Sequence, residues 1–337
     1  MRKELITIKI KKIISALIAA MAVSVNVIAA QIPDHNGTDL SQFAIGTKKL
    51  NKAVKSYSDL FKSAGDQYGV DPNILASVCM QESGGVNYKY YSDGVTPRPA
   101  WGIMQIEDTN EKAFAKFGLD RTGTAWTLED RLVPAKAIPY AAYLLSEALY
   151  RYDYDYIKML QSYNFGQTVL DRIIAAKGDD WLMERVNAKD YVQNWPYNSY
   201  GDPLYPEHVL AYYTNDIEYV GAKVTLNGKL VKFDDQYPII ENGTTLIPIR
   251  KVGEMLGATV WWEQDKGAAH INKNGKEILL FTGTNTAYVA GREYLLNVGA
   301  KVENGRTLAP LRFVAEALDM DVTWHGETRM VELNSKQ

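Results

Sequence analysis

The strongest constraint on the fold is an internal repeat in the second half of this 337-residue chain. A shift of 62 positions places residues 242–262 on residues 304–324, and 11 of the 21 aligned positions are identical. Ordinary residue frequencies give about one or two identities in such a stretch by chance. Residues from about 223 to 283 and from about 285 to 334 are therefore two copies of one structural unit.

The residue pattern of each copy predicts a strand, a short helix and a hairpin. Asn-Gly pairs, which are typical of tight hairpin turns, begin at positions 227, 242, 274 and 304. We expect the helices at 249–256 and 311–318, with a hairpin that begins at Trp262 or Trp324. Helices this short are not stable alone, so the two copies are expected to pack together. Residues 217–337 are thus predicted to form a small, duplicated α+β domain.

Residues 50–216 have a different pattern and predict a mostly α domain. Apolar residues over 50–68 recur at steps of three and four, which indicates one face of an amphipathic helix. Asp71-Pro72 is a typical helix start and Gly84-Gly85 a typical helix end. Further helices are predicted at about 134–150, 153–165 and 167–176. The chain is therefore predicted to be multidomain, with a helical domain followed by the α+β repeats.

The first thirty residues have the pattern of a signal peptide. Five basic residues precede residue 13, an apolar run follows, and Ala29 and Ala30 offer a cleavage site. Residues 31–49 are expected to be a flexible segment. The alternative is an uncleaved membrane anchor, because about eighteen apolar residues approach the length of a membrane span. In both cases we expect a secreted or cell-wall-associated protein.

Charge and residue counts limit the classes of partner and cofactor. The net charge is −3, the leader is basic and residues 220–337 are balanced, so the helical domain is acidic. This argues against nucleic acid as a partner. Cys79 is the single cysteine and falls on an apolar helix face, which indicates core packing. The four histidines show no metal-site spacing, so neither a metal nor a cofactor is expected.

Glu82 is the candidate for acid catalysis. It follows Leu75, Val78 and Cys79 on the apolar face of the helix that begins at Asp71. Partial burial raises the pKa of a carboxyl group, and a general acid for glycoside cleavage needs a raised pKa at neutral pH. A structural carboxylate that pairs with an arginine or caps a helix is the alternative.

The surroundings of Glu82 resemble the lysozyme-like superfamily of soluble lytic transglycosylases and goose-type lysozymes. Three blocks carry the resemblance, at residues 81–85 (QESGG), 102–106 (GIMQI) and 162–166 (SYNFG). Residues 201–210 also resemble the end of the lysozyme domain in bacterial two-domain wall hydrolases. The resemblance implies that Glu82 and Gln105 are catalytic. It implies substrate-binding roles for a second set of residues: Ser83, Gly102, Met104, Tyr163 and Asn164.

The implied activity is cleavage of the β-1,4 bond between N-acetylmuramic acid and N-acetylglucosamine in peptidoglycan. A hydrolase of inverting type needs a second carboxylate to activate water, and Asp93 and Glu107 are the two candidates. These two acids favour a muramidase slightly. The alternatives are a lytic transglycosylase, which leaves 1,6-anhydromuramic ends, and a non-catalytic wall-binding protein.

The repeats resemble the domain named after the N-terminal part of copper amine oxidases. The match rests on residues 242–250 (NGTTLIPIR) and their partner at 304–312. His270 aligns with Glu332 and His325 aligns with Glu263, so the copies share no ligand set for copper. We therefore expect residues 217–337 to attach the enzyme to the cell wall or surface rather than to add chemistry.

Overall fold

The computed structural model describes residues 40, 42–87, 100–193 and 200–336. The predicted signal peptide and the Asp93 carboxylate lie outside the described residues. Helices dominate up to Leu210, and strands dominate from Lys223 onward. This confirms the predicted fold class. None of the helices in the described ranges is long and apolar enough to cross a membrane.

The helical region contains nine α-helices in its described parts. Their bounds are α1 Lys52–Lys55, α2 Ser58–Tyr68, α3 Pro72–Ser83, α4 Glu111–Thr122, α5 Pro134–Arg151, α6 Tyr156–Phe165, α7 Gln167–Lys177, α8 Trp181–Glu184 and α9 Tyr205–Leu210. A two-stranded hairpin, β1 (Ala100–Trp101) and β2 (Ile106–Glu107), lies between α3 and α4.

Helix α3 is the central element of the helical core. The Asp71 side chain accepts a hydrogen bond from the Asn73 amide and caps the helix, and Gly84 ends it in a left-handed conformation. Leu75, Cys79 and their neighbours on this helix are fully buried. The predicted start, end and buried face of α3 are thus confirmed, and Cys79 is a core residue.

The helix predicted over residues 50–68 is two helices, with a break at residues 56–57. The hydroxyls of Ser56 and Ser58 donate to the backbone carbonyls of Ala53 and Lys55 at 2.7 and 2.8 Å. Such local bonds compete with the regular helix, and Tyr57 leaves helical geometry at ψ 11°. The apolar spacing identified the buried face but gave no sign of this break.

The second region forms three sheets. The strands are β3 Lys223–Leu226, β4 Lys229–Leu230, β5 Ile239–Glu241, β6 Thr244–Pro248, β7 Thr259–Glu263, β8 Ala268–Lys273, β9 Lys276–Phe281, β10 Thr286–Val289, β11 Arg292–Leu295, β12 Lys301–Glu303, β13 Arg306–Pro310, β14 Met320–His325 and β15 Met330–Ser335. The sheet orders are β11-β10-β9-β8-β7, β12-β13-β6-β5 and β14-β15-β3-β4. Helices α10 (Ile249–Leu256) and α11 (Leu311–Ala317) follow β6 and β13.

The two copies pack together, as their short helices require. Strands β6 and β13 occupy equivalent places in the repeat and pair antiparallel, with Ile247 opposite Ala309. Both helices contribute to one shared core, for example through Val252 and Val314. The hairpins begin at residues 259 and 320, three and four residues before the predicted tryptophans.

A contact between a histidine and a glutamate occurs in both copies, in reversed order along the chain. His270 Nε2 lies 2.9 Å from Glu263 in the first copy, and His325 Nε2 lies 2.9 Å from Glu332 in the second. The repeat alignment places each histidine on the other copy's glutamate. The duplication therefore preserves a cross-strand contact, which explains why the histidines themselves do not align.

Candidate active site

A cleft of about 860 Å³ crosses the helical region. Its walls come from the end of α3, the β1–β2 hairpin, α5 and α6. Glu82, Gln105, Glu107, Tyr163 and Asn164 all line it. The structure therefore brings together five of the residues that were predicted from the sequence to be catalytic or to bind substrate.

Glu82 lies in the last turn of α3, where the buried face of the helix meets the cleft. Burial raises the pKa of its carboxyl group from 4.5 to about 7. The hydroxyl of Tyr205 donates to Oε1 and lowers this pKa, whereas the nearby carboxylates of Glu107 and Asp202 raise it. At neutral pH a substantial fraction of Glu82 is therefore protonated and able to donate a proton.

Two tyrosines lie beside this carboxyl group, Tyr205 fully buried and Tyr163 partly buried. Tyr205 and Tyr163 stack with ring centroids 6.5 Å apart. The Tyr163 hydroxyl donates to the Met104 carbonyl at 2.8 Å, which ties α6 to the β1–β2 hairpin. Burial raises the pKa of both hydroxyls well above 10, so both are hydrogen-bond donors at neutral pH.

The β1–β2 hairpin presents Gln105 and Glu107 to the cleft. Gln105 has a positive φ of 48°, which is unusual for a non-glycine residue and is often found at functional sites. Its Nε2 donates to the Gly102 carbonyl at 2.7 Å, so the amide has a fixed orientation. Glu107 accepts a hydrogen bond from the Thr109 hydroxyl at 3.2 Å.

Three of the residues expected to bind substrate are not among the described residues that line the cleft: Ser83, Gly102 and Met104. The Ser83 hydroxyl donates to the Ile103 carbonyl at 2.8 Å and joins α3 to the hairpin. A Cβ atom on Gly102 would lie 2.0 Å from the Arg131 carbonyl oxygen, so glycine is required by packing. The Met104 side chain is fully buried. These contacts give the three residues a structural role in the hairpin. Their expected contact with substrate stays a prediction.

Asn164 lines the cleft, but its side chain also has a structural partner. Its Oδ1 accepts the Asp202 amide at 2.6 Å, and Gln161 Nε2 donates to the Asp202 carbonyl at 3.0 Å. The Asp202 carboxylate lies 2.6 Å from His208 Nδ1. The turn before α9 is thereby fixed, and α9 begins with Tyr205.

Tyr205 and Asp202 have no role predicted from the sequence, although both belong to the block at 201–210 that resembles wall hydrolases. That block was the available signal. No local spacing could show that Tyr205 reaches Glu82, because the two residues are 123 positions apart.

In the described parts of the chain, no group of three or more His, Cys, Asp or Glu residues is arranged to hold a metal ion. His270 lies between two glutamates, with Nδ1 3.0 Å from Glu277 and Nε2 2.9 Å from Glu263. The ring of Trp261 stacks on it at 4.7 Å. Both ring nitrogens are thus engaged by carboxylates within the sheet.

Comparison with known proteins gives two family matches and one relative. Residues 59–181 match the transglycosylase SLT domain, and residues 225–333 match the copper amine oxidase N-terminal domain. A protein described as a protease inhibitor from Brevibacillus choshinensis is 32% identical over 101 residues. That match covers 29% of this chain and 30% of the relative.

Both family matches agree with the resemblances found in the sequence, and they coincide with the helical and the β-rich regions. The cleft with Glu82 lies in the first region, and the duplicated sheets form the second. The helical region is thus similar to the transglycosylase SLT domain, and the β-rich region is similar to the copper amine oxidase N-terminal domain.

Proposed function

We propose that the helical domain cleaves the β-1,4 bond between N-acetylmuramic acid and N-acetylglucosamine in peptidoglycan, with Glu82 as the general acid. The observation that supports this most directly is the environment of Glu82. Its carboxyl group lies on a cleft, its pKa is raised by burial to about 7, and Tyr205 fixes Oε1. A protonated carboxyl group can donate to the leaving glycosidic oxygen as the bond breaks.

The SLT match favours a lytic transglycosylase slightly over the muramidase that the sequence alone favoured. In that reaction Glu82 protonates the leaving oxygen and then, as the carboxylate, accepts the proton of the muramoyl 6-hydroxyl. The 6-oxygen attacks the anomeric carbon and forms the 1,6-anhydro ring. One carboxyl group that gives and then takes a proton is sufficient. A pKa near neutrality suits both steps.

A muramidase is the second candidate, and Glu107 is the observation that favours it. This carboxylate lines the same cleft and raises the pKa of Glu82 through its charge. An inverting hydrolase would use such a group to activate water. Gln105, held by its bond to Gly102, could orient the attacking water or the N-acetyl group of the sugar.

The cellular setting is also part of the proposal. The leader pattern supports secretion, and peptidoglycan is then the available polymer. The β-rich domain is proposed to contribute attachment to the cell wall or surface.

Digestion of purified sacculi tests the proposal. The wild-type protein is expected to release soluble muropeptides, and Glu82→Gln is expected to release almost none. Mass spectrometry of the products then separates the two reactions, because 1,6-anhydro ends are lighter by one water than reducing ends. Predominantly reducing ends would favour the muramidase. Failure of the folded wild-type protein to release any product would favour the third possibility, a wall-binding protein without catalysis.

A further inference from the structure

A loop of the β-rich domain contacts the helical domain beside the cleft. The loop comprises residues 231–238, between β4 and β5. The Tyr237 amide donates to the Gln67 carbonyl at 2.9 Å, and the Tyr237 side chain is only 3% exposed. A Cβ atom on Gly69 would lie 2.3 Å from the Tyr237 ring, so the two domains are in close contact here. The loop is therefore anchored rather than tethered loosely.

The same loop contacts the second half of α5. Lys232 Nζ lies 2.7 Å from Glu147 Oε2 and 5.6 Å from the centre of the Tyr150 ring. The loop also contacts α4, where Arg121 Nη2 donates to the Asp234 carbonyl at 3.4 Å. Both members of the Lys232–Glu147 pair are about one-third exposed, so the pair borders solvent.

Glu147 also lines the cleft that contains Glu82. It lies one helical turn after Tyr143, which lines the cleft as well. Burial raises the pKa of the Tyr143 hydroxyl, the charge of Glu147 raises it further, and the charge of Lys232 lowers it. Both charges therefore act on a hydroxyl of the cleft wall, together with the more minor contributions of Arg121 and Lys116.

Lys232 matters because the Asp, Glu, Lys and Arg residues that line the described part of the cleft are all acidic. Glu82, Glu107 and Glu147 are the acidic residues that line its described part. Muramoyl residues of peptidoglycan bear lactyl groups and short peptides with free carboxylates. An unpaired Glu147 would repel such groups, and the repulsion between charges a few ångströms apart is appreciable even near solvent.

We propose that Lys232, supplied by the β-rich domain, determines specificity by cancelling the charge of Glu147 and so admitting the carboxylate-bearing muramoyl units of the wall glycan. This inference rests on the proposed function. It gives the second domain a direct part in substrate recognition, in addition to any attachment. Lys232 is a specificity-determining residue and takes no part in the proton transfers at Glu82.

Steady-state cleavage of two matched substrates tests the inference. One substrate is a soluble wall-glycan fragment with its native carboxylates, and the other is the same fragment with those carboxylates converted to amides. For Lys232→Met in the full chain we expect kcat/KM to fall about 3- to 10-fold on the native fragment, mainly through KM. On the amidated fragment the change should be less than about 2-fold.

Three further variants make the result specific. Lys229→Met removes an exposed positive charge from the preceding strand and should leave both rates unchanged. Glu147→Gln should increase the preference for the native fragment, and Lys232→Met combined with Glu147→Gln should return the preference to the wild-type value. Because Glu147→Gln keeps Lys232 and the Tyr237 contacts that anchor the loop, it tests the charge argument even where Lys232→Met misfolds.

If kcat/KM of Lys232→Met falls equally on both fragments, Lys232 has a merely structural role and the inference is wrong. If Glu147→Gln has the wild-type preference between the two fragments, the charge argument is wrong. Glu82→Gln is measured in parallel. Retained cleavage in Glu82→Gln contradicts the assignment of Glu82 as the acid. If Glu82→Gln loses cleavage but Lys232→Met has the wild-type preference between the native and the amidated fragment, only the present inference is contradicted.

Discussion

Replacing Glu82 by Gln should stabilise the folded protein at neutral pH. Burial raises the pKa of Glu82 from 4.5 to about 7, so the folded state binds this proton more tightly than the unfolded chain. The stability due to Glu82 is therefore complete below about pH 4.5 and is lost as the pH rises through about 7. At about 1.36 kcal/mol per pKa unit, the full shift corresponds to about 3 kcal/mol. Because the side chain borders the open cleft, we expect a gain of about 1–3 kcal/mol.

Urea unfolding, followed by circular dichroism at several pH values, measures this gain. Gln cannot ionise, and its amide oxygen can still accept the Tyr205 hydroxyl, so the variant avoids the ionisation penalty and keeps its partner. The difference in unfolding free energy between variant and wild type should be near zero at about pH 4 and should reach its plateau above about pH 7. A variant that is no more stable than the wild type at about pH 8, or equally stabilised at about pH 4, would refute the reasoning.

Two further substitutions test the hydrogen bond to Glu82 and the packing of the β1–β2 hairpin. Tyr205→Phe removes a hydrogen bond that stabilises the carboxylate, so the pKa of Glu82 should rise. The alkaline limb of the kcat–pH profile should then move upward by about 1–2 pH units, and an unchanged or lowered limb would contradict the role of this hydroxyl. Gly102→Ala places a Cβ atom 2.0 Å from the Arg131 carbonyl at a φ of +76°, and should cost more than about 2 kcal/mol of unfolding free energy. Gly123→Ala is the matched control, since its φ is +73° but nothing lies within 4 Å of the added atom. Similar costs for the two glycine variants would contradict the packing argument.

The local elements of the active site could be predicted from the sequence because their signals are local. Asp71 and Gly84 fix the ends of α3, and apolar spacing fixes which face is buried. Glu82 is the next residue on that face, so its place at the edge of the core follows. The Asn-Gly turns are confirmed in the same way, since Asn242 and Asn304 have positive φ values of 46° and 47°.

The contacts that set the chemistry could not be predicted, because they join distant parts of the chain. Asn164 and Gln161 fix the turn that precedes Tyr205, and Tyr205 donates to Glu82. Each of these contacts joins residues that are far apart in the sequence, so no local pattern predicts it. The expected substrate contacts of Gly102, Met104 and Ser83 came from resemblance and stay predictions, because resemblance identifies positions but does not separate contact with substrate from packing within the hairpin. The Lys232–Glu147 pair joins two domains and had no signal in the sequence.

The most direct test of the central claim is the turnover of purified Glu82→Gln relative to wild type on a soluble wall-glycan fragment. The substitution preserves side-chain volume and removes the transferable proton, and general acid catalysis is worth roughly 10²–10⁴-fold. We predict a loss of at least about a hundredfold, with the fold intact by circular dichroism. A well-folded variant that keeps more than about a tenth of wild-type turnover would contradict the assignment of Glu82 as the acid.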